Sequence, residues 1–396
     1  MSEQAQALID AVRDLAPEIR ARAAEVEVAR RAPADLIARL RAAGVFRMYA
    51  PRSHGGLELD FADGLEVIAE AARADGSVGW VVMIGSATAL IFSRLPWASF
   101  DEIFASGPDL IQAGLAGAPR GRAERVDGGY RVSGAWPFSS GCEHADWIIG
   151  ACLVTEGGEP VAGPSGAPSP PRVVVLPAQD WTIEDSWTVA GLKATGSHTT
   201  VLKEVFVPEA RTMELSGPSC LEGPLYAGLG PWIPLMHSAF AVGLAEGAIE
   251  DLAAMANSGR QQLFARSAMQ ESPVFQYELG QLDALCQAAK ALLKTRAEGH
   301  WARAKAGTLG RPDAMPQSLQ AGVWITEACV AVASGCYNLG GGGALYDASP
   351  LQRRMRDMQA AAQHAVVQRQ NYQALGAGRL GREPDHPRLQ RRPAAE

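Results

Sequence analysis

The feature that most limits what this chain can fold into is that its periodicity switches twice. Residues 4–24 are rich in Ala, Arg, Glu and Leu, which favour helix. Pro33 can open a second helix that runs to Ala43. Leu65, Ile68, Ala69 and Ala72 then fall at i, i+3, i+4 and i+7, an amphipathic stripe, and residues 78–95 are nearly all apolar, as in a buried helix. Near Gly114 the pattern becomes that of short strands, at 128–135, 147–155, 172–177 and 199–207. From about Pro234 helical segments return, at 240–256, 278–305, 317–337 and 351–375, with short breaks between them. The order predicts a mainly α protein with a central β domain. An N-terminal helical domain covers 1–113, a small β-barrel or sandwich covers 114–212, and a C-terminal four-helix bundle covers 213–381. A charged, proline-containing tail at 382–396 is predicted to be disordered.

Bulk properties narrow the class further. A chain of 396 residues is long enough for two or three domains around a large core. A net charge of −7 argues against a nucleic-acid partner. No uninterrupted apolar run approaches a membrane span, so no membrane partner is expected. The start, Met1-Ser2-Glu3-Gln4, lacks a basic end followed by an apolar block. Six cysteines are scattered without a Cys-x-x-Cys pair, which predicts reduced, buried thiols and a cytoplasmic setting. The Gly-, Pro- and Ser-rich stretch 156–171 reads as a hairpin loop, because strands resume directly after it.

One segment carries chemistry. Gly134-Ala135-Trp136-Pro137-Phe138-Ser139-Ser140-Gly141 places two aromatics, two hydroxyls and a flexible glycine where a strand ends. That mixture suits a flat redox cofactor, which needs apolar walls and short polar groups at its ring nitrogens and carbonyls. A strand-end turn with Ser-Gly chemistry accounts for the same residues. With its flanks, the segment resembles the flavin-contacting stretch of the acyl-CoA dehydrogenase superfamily, and within it the branch of two-component hydroxylases that use reduced flavin and O2. Other segments of the resemblance recur in order. They are Pro51-Arg52-Ser53-His54-Gly55-Gly56, Ala74-Asp75-Gly76-Ser77-Val78-Gly79-Trp80, Gly191-Leu192-Lys193-Ala194-Thr195-Gly196-Ser197, Gly340-Gly341-Gly342-Gly343 and Arg353-Arg354-Met355-Arg356-Asp357. The resemblance implies flavin held between the β domain and the bundle of a homotetramer, with a neighbouring subunit completing the site.

Two reaction classes run on such a fold, and the residue inventory separates them. A desaturase needs a carboxylate base at the substrate α-carbon. In relatives it is a glutamate about two turns beyond the Arg-Asp pair, or one on the first bundle helix. Here Asp357 is the sole acid between 348 and 382, and its arginine neighbours mark it as an ion-pair partner. Residues 224–245 contain no Asp or Glu, and Glu246 is expected to point elsewhere. His364 stands in helix 351–375 near where the base would be. An imidazole titrates near neutrality and suits proton handling in oxygen chemistry, a role the resemblance assigns to His364.

The resemblance therefore implies the oxygenase component of a reduced-flavin-dependent monooxygenase. It would take reduced FMN or FAD from a separate NAD(P)H:flavin reductase, carry O2 as a C4a-hydroperoxyflavin, and hydroxylate a small organic substrate. Ser139 or Ser140 would steady the flavin nitrogen, with Ser140 favoured because it adjoins Gly141. Trp136 and Phe138, on one strand face, would wall the flavin or the substrate, unless they are core. Trp80 would line the substrate cavity. Thr195, Ser197, Arg260, Gly341 and Gly342 would meet cofactor phosphates, although a turn, a surface ion pair and a helix-end loop explain them too. Some aromatic hydroxylases of this branch carry a second histidine two turns beyond the tryptophan. Here Gly85-Ser86-Ala87-Thr88 has none, which argues against a phenol. The alternatives are an FAD-dependent acyl-CoA dehydrogenase-like desaturase or oxidase, and a helical scaffold that has lost its cofactor.

Overall fold

A computed structural model describes residues 1–163 and 169–382. Seven helices come first: α1 Glu3–Ala21, α2 Ala23–Ala29, α3 Ala34–Ala43, α4 Phe61–Ala74, α5 Gly76–Ser86, α6 Thr88–Phe92 and α7 Trp97–Phe104. The expected stripe on α4 is buried at all four positions. Asp75 starts α5 by accepting the Ser77 and Val78 N–H groups at 2.9 and 3.1 Å, a side-chain N-cap. This cap fixes the turn from which Trp80 projects.

Nine strands follow: β1 Gln112–Leu115, β2 Gly121–Val126, β3 Gly129–Trp136, β4 Trp147–Glu156, β5 Glu159–Pro160, β6 Arg172–Pro177, β7 Thr182–Glu184, β8 Thr199–Pro208 and β9 Thr212–Met213. The main sheet runs β7-β8-β3-β2-β4-β6-β9. Strands β1 and β2 both pair with β4 in parallel, in succession along it. The four predicted strands are β3, β4, β6 and β8. Strand β2, Gly-Arg-Ala-Glu-Arg-Val, carries too many charges to read as a strand, yet it sits between β3 and β4.

Trp136 is fully buried at the centre of the β core, with its Nε1–H donated to the Ala151 carbonyl at 2.8 Å. A Cβ on Gly121 or Gly150 would meet its ring at 2.0 or 2.6 Å, so this indole needs glycines around it. Phe138, expected on the same face, is 61% exposed with a φ of 64°. Strand β3 ends at Trp136, and the left-handed residue turns the second ring outward. The shared aromatic face is therefore not formed.

The bundle comprises α8 Leu229–Asn257, α9 Pro273–Lys305, α10 Ala314–Gly340, α11 Pro350–Ala361 and α12 Tyr372–Arg379. Helix α8 lies against α4 so closely that a Cβ on Gly243 would fall 1.9 Å from the Ala69 carbonyl oxygen. The segment Ala314–Leu345, containing α10, is long and apolar enough to cross a membrane by length and composition. Most of its most apolar stretch is buried within the protein, as in a core helix. The single helix expected over 351–375 is broken between α11 and α12. His364 is not helical (φ −65°, ψ 136°), because its imidazole Nδ1 accepts the Val366 N–H and competes with the helical ladder. The β-branched pair Val366–Val367 then packs inward as a short 3₁₀ turn. The proposed tail lies outside the described residues, apart from Arg382.

Candidate active site

The site is built around Trp80. Its Nε1–H donates to Ser140 Oγ at 2.9 Å, joining α5 to the turn after β3. Its ring meets those of His237, Phe240 and His364 edge-on, at centroid distances of 5.5, 5.1 and 5.8 Å. His237 and His364 lie 5.5 Å apart, inclined at 33°. Three elements far apart in sequence thus form one box: α5, the start of α8 and the turn after α11.

The two histidines are held differently. His237 is buried, and its Nε2 lies 3.0 Å from the Ala361 carbonyl, which can only accept, so Nε2 carries the proton. Thr326 Oγ1 stands 3.5 Å from Nδ1 and donates to it. Burial pushes this imidazole down to about 4, and its bond to Ala361 opposes the shift only in part. His237 is therefore neutral at physiological pH and acts as a fixed wall. The same Ala361 carbonyl accepts the His364 backbone N–H at 3.1 Å, so His237 grips the turn that presents His364. The His364 ring accepts at Nδ1 from Val366, which leaves its neutral-form proton on Nε2.

The two serines are separated by the turn. Ser139 Oγ faces the sheet, bonded to the Trp136 carbonyl (3.2 Å) and Thr200 Oγ1 (2.8 Å). Ser140 Oγ faces Trp80 and lies 2.7 Å from Ser197 Oγ. Ser197 Oγ lies 2.6 Å from Thr195 Oγ1, which donates to the Leu192 carbonyl at 2.8 Å. Thr195 and Ser197 are buried, and their hydroxyls are spent on this chain rather than offered to a phosphate. Gly141 N–H donates to the Thr195 carbonyl at 2.8 Å, which ties the two turns together.

The loop carrying Leu192 and Thr195 is anchored from both helical regions. Ser77 Oγ of α5 accepts the Ala194 N–H at 3.2 Å, and Asp357 Oδ1 of α11 accepts the Leu192 N–H at 2.6 Å. The sequence reading placed Asp357 in an ion pair with its arginine neighbours. Instead Arg354 pairs with Asp251 at 2.6 Å, Arg356 pairs with Glu27 at 2.8 Å and Arg353 approaches Asp75 at 3.6 Å. Helical turning sends those side chains to other partners. Burial, and next the Asp75 carboxylate, push the Asp357 carboxyl up to about 7.

Arg260, Gly341 and Gly342 are not brought to the box. From Thr326, at the His237 contact, to Gly340 is fourteen residues of α10, roughly 21 Å at the helical rise. At that far end Arg260 packs on the glycine run: a Cβ on Gly343 would fall 2.0 Å from both terminal guanidinium nitrogens. Arg260 Nε is buried without a partner. Such a donor over bare backbone fits an anionic group, and the acceptor-bearing, aromatic-walled box fits a flavin ring. The chemistry of both sets is therefore compatible with the cofactor.

A groove of about 690 Å³ also opens between α4, α8 and α9. Within it Glu246 is paired to Lys290 at 2.7 Å and Arg73 to Glu250, so Glu246 does point elsewhere. The six cysteines are unpaired. Burial pushes the Cys142 thiol, which donates to the Gly196 carbonyl at 3.3 Å, up to about 12, so it is no nucleophile. His237, Phe240 and Thr326 were missed by sequence reasoning. A lone imidazole two turns into an apolar helix is the signal that points to them.

Residues 2–94 match the family model for the acyl-CoA dehydrogenase N-terminal domain, and 235–369 match that for the acyl-CoA dehydrogenase C-terminal domain. The indole-3-acetate monooxygenase of Pseudomonas putida is 32% identical over 96% of this chain and 94% of its own. The oxygenase component of the FADH2-dependent resorcinol hydroxylase of Rhizobium sp. is 32% identical over 95% of each chain. XiaF from Streptomyces sp., solved with FADH2 and glycerol, superposes with a TM-score of 0.89 at 25% identity, covering 97% of this chain and 98% of its own.

Proposed function

This chain belongs to the acyl-CoA dehydrogenase superfamily, among its flavin-dependent monooxygenases, and from that premise we propose that it is the oxygenase component of a two-component hydroxylase. Reduced FMN or FAD would arrive from a separate NAD(P)H-dependent reductase. The flavin supplies the two electrons with which O2 is split, one oxygen going to a small organic substrate and the other to water. The carrying observation is the make-up of the box. Two imidazoles stand at Trp80, whose ring and Nε1–H meet His237, Phe240, His364 and Ser140 among the described residues, none of them a carboxylate. A thioester desaturase would lack its base there.

The residues divide the work by position. Ser140 offers its oxygen to the flavin ring, while Trp80, Phe240 and neutral His237 keep water away. Phe138, with Trp187 edge-on at 6.0 Å, forms an outer wall. His364 takes a proton from, or gives one to, the reacting group at Nε2. Edge-on aromatic walls favour a planar ring as substrate, in keeping with the indole-3-acetate named for one relative. Arg260, Gly341 and Gly342 serve the cofactor phosphates of a neighbouring subunit in a homotetramer, since within one subunit they lie too far from the box. The setting is cytoplasmic.

The test supplies FMN or FAD, a flavin reductase, NAD(P)H and 18O2 with a panel of indoles, phenols and sulfur heterocycles. A product carrying one labelled oxygen is expected. His364→Ala is expected to lower its yield at least tenfold while hydrogen peroxide rises to match the NAD(P)H consumed. An unchanged product-to-peroxide ratio in that variant removes His364 from the reaction. Bleaching of bound oxidised flavin by an acyl-CoA, with no labelled product, overturns the assignment.

A further inference from the structure

We propose that the chain Ser140–Ser197–Thr195 makes the pocket discriminate between the two redox states of flavin by fixing the direction of one hydrogen bond. The inference rests on the assignment of Ser140 to the flavin ring. The direction follows from counting protons. Thr195 has one hydroxyl proton, and its contact with the Leu192 carbonyl uses it, because a carbonyl can only accept. The 2.6 Å contact between Thr195 and Ser197 must then be donated by Ser197. Ser197 has no second proton, so the 2.7 Å contact with Ser140 is donated by Ser140. Trp80 Nε1–H fills one of the two lone pairs on Ser140 Oγ. What Ser140 presents to any further partner is one lone pair and no proton.

Flavin N5 distinguishes its redox states by this same property. Reduced flavin carries a hydrogen on N5 and donates; oxidised flavin has a lone pair there and accepts. A Ser140 locked as acceptor pairs with the first and opposes the second. The arrangement is buried at every member, so water does not supply the missing donor. The anchors of the Leu192 loop, Asp357 and Ser77, hold the carbonyl on which the whole order depends. An oxygenase served by a separate reductase gains from this: it accepts reduced flavin and releases the oxidised form for another cycle.

The experiment compares dissociation constants of oxidised FMN and FAD with those of the same flavins reduced, titrated anaerobically. In the wild type the reduced form is expected to bind about tenfold tighter, the factor that one matched rather than mismatched hydrogen bond carries. Ser197→Ala removes the acceptor of the Ser140 proton, and Thr195→Val removes that of Ser197. Either change frees Ser140 to donate, so oxidised flavin should gain affinity and the ratio should fall towards one. Thr195→Ser keeps the order and should keep the ratio, and Ser140→Ala should make Ser197→Ala silent. The two-electron potential of bound flavin should lie about 30 mV above that of free flavin in the wild type and lose that offset in Ser197→Ala, as a tenfold ratio requires. If both redox states bind and neither Ser197→Ala nor Thr195→Val moves the ratio, the directional chain is overturned. If the wild type binds neither redox state, the flavin assignment itself fails, a separate result.

Discussion

Replacing His237 by glutamine tests whether that imidazole is a neutral wall. Glutamine keeps an N–H donor for the Ala361 carbonyl but cannot titrate. Burial holds the folded-state pKa of His237 at about 4, against about 6.5 in the unfolded chain. Its pKa is depressed on folding, so the unfolded state binds the extra proton first as pH falls. Above pH 6.5 both states are neutral and the packing of His237 counts in full. Between about 6.5 and about 4 stability is lost at about 1.4 kcal/mol per pH unit. By pH 5 the loss amounts to about 2 kcal/mol, and it nears 3 kcal/mol by pH 4. Urea unfolding of wild type and His237→Gln at matched ionic strength, from pH 7.5 down to 5, reads the difference directly. His300, also pushed to about 4 by burial, and Asp357 titrate in both proteins and cancel in the comparison. The wild type is expected to lose about 2 kcal/mol more than the variant over that range. Curves that stay parallel would refute the reasoning, because His237 would then not be a buried neutral base.

Two further substitutions test the scaffold. Gly243→Val should lower stability by about 3 kcal/mol, since its Cβ would stand 1.9 Å from the Ala69 carbonyl oxygen and force α4 and α8 apart; thermal unfolding measures it. Trp136→Phe should cost about 2–3 kcal/mol through the lost bond to Ala151 and the space left behind. Reduced-flavin affinity in that variant should stay within about twofold of wild type by titration, because Trp136 packs inside the sheet rather than at the box.

Much of the architecture was legible because periodicity reports burial. The strands at 129–136, 147–156, 172–177 and 199–208 fall within a residue or two of their expected ends, being apolar and β-branched on the inward face. Strand β2 was illegible: it is placed by its neighbours, and only Ala123 among its residues is buried. Trp80, Ser140 and His364 were found from the sequence and do meet. His237 and Phe240 join them from α8, which packs closely on α4 at Gly243, and the lone imidazole in an apolar helix is the one local sign of it. The break after Ala361 escaped notice because Ala and Gln around it favour helix, while a side-chain bond from His364 decided the outcome. Asp357 was misread for a related reason: charge adjacency along the chain says little about which way a helix sends each side chain.

The loop 191–198 is stitched to three bodies at once: to α5 through Ser77, to α11 through Asp357, and to the sheet through Gly141. It behaves as a seam rather than a lid. Directed evolution of this protein for new substrates therefore has two unequal regions to work with. Changes along α8, around Phe240, reshape the box at Trp80 while leaving the stitching alone. Changes at Ser77, Leu192 or Asp357 disturb the joint between sheet and helices, and cofactor retention is the property that would slip first.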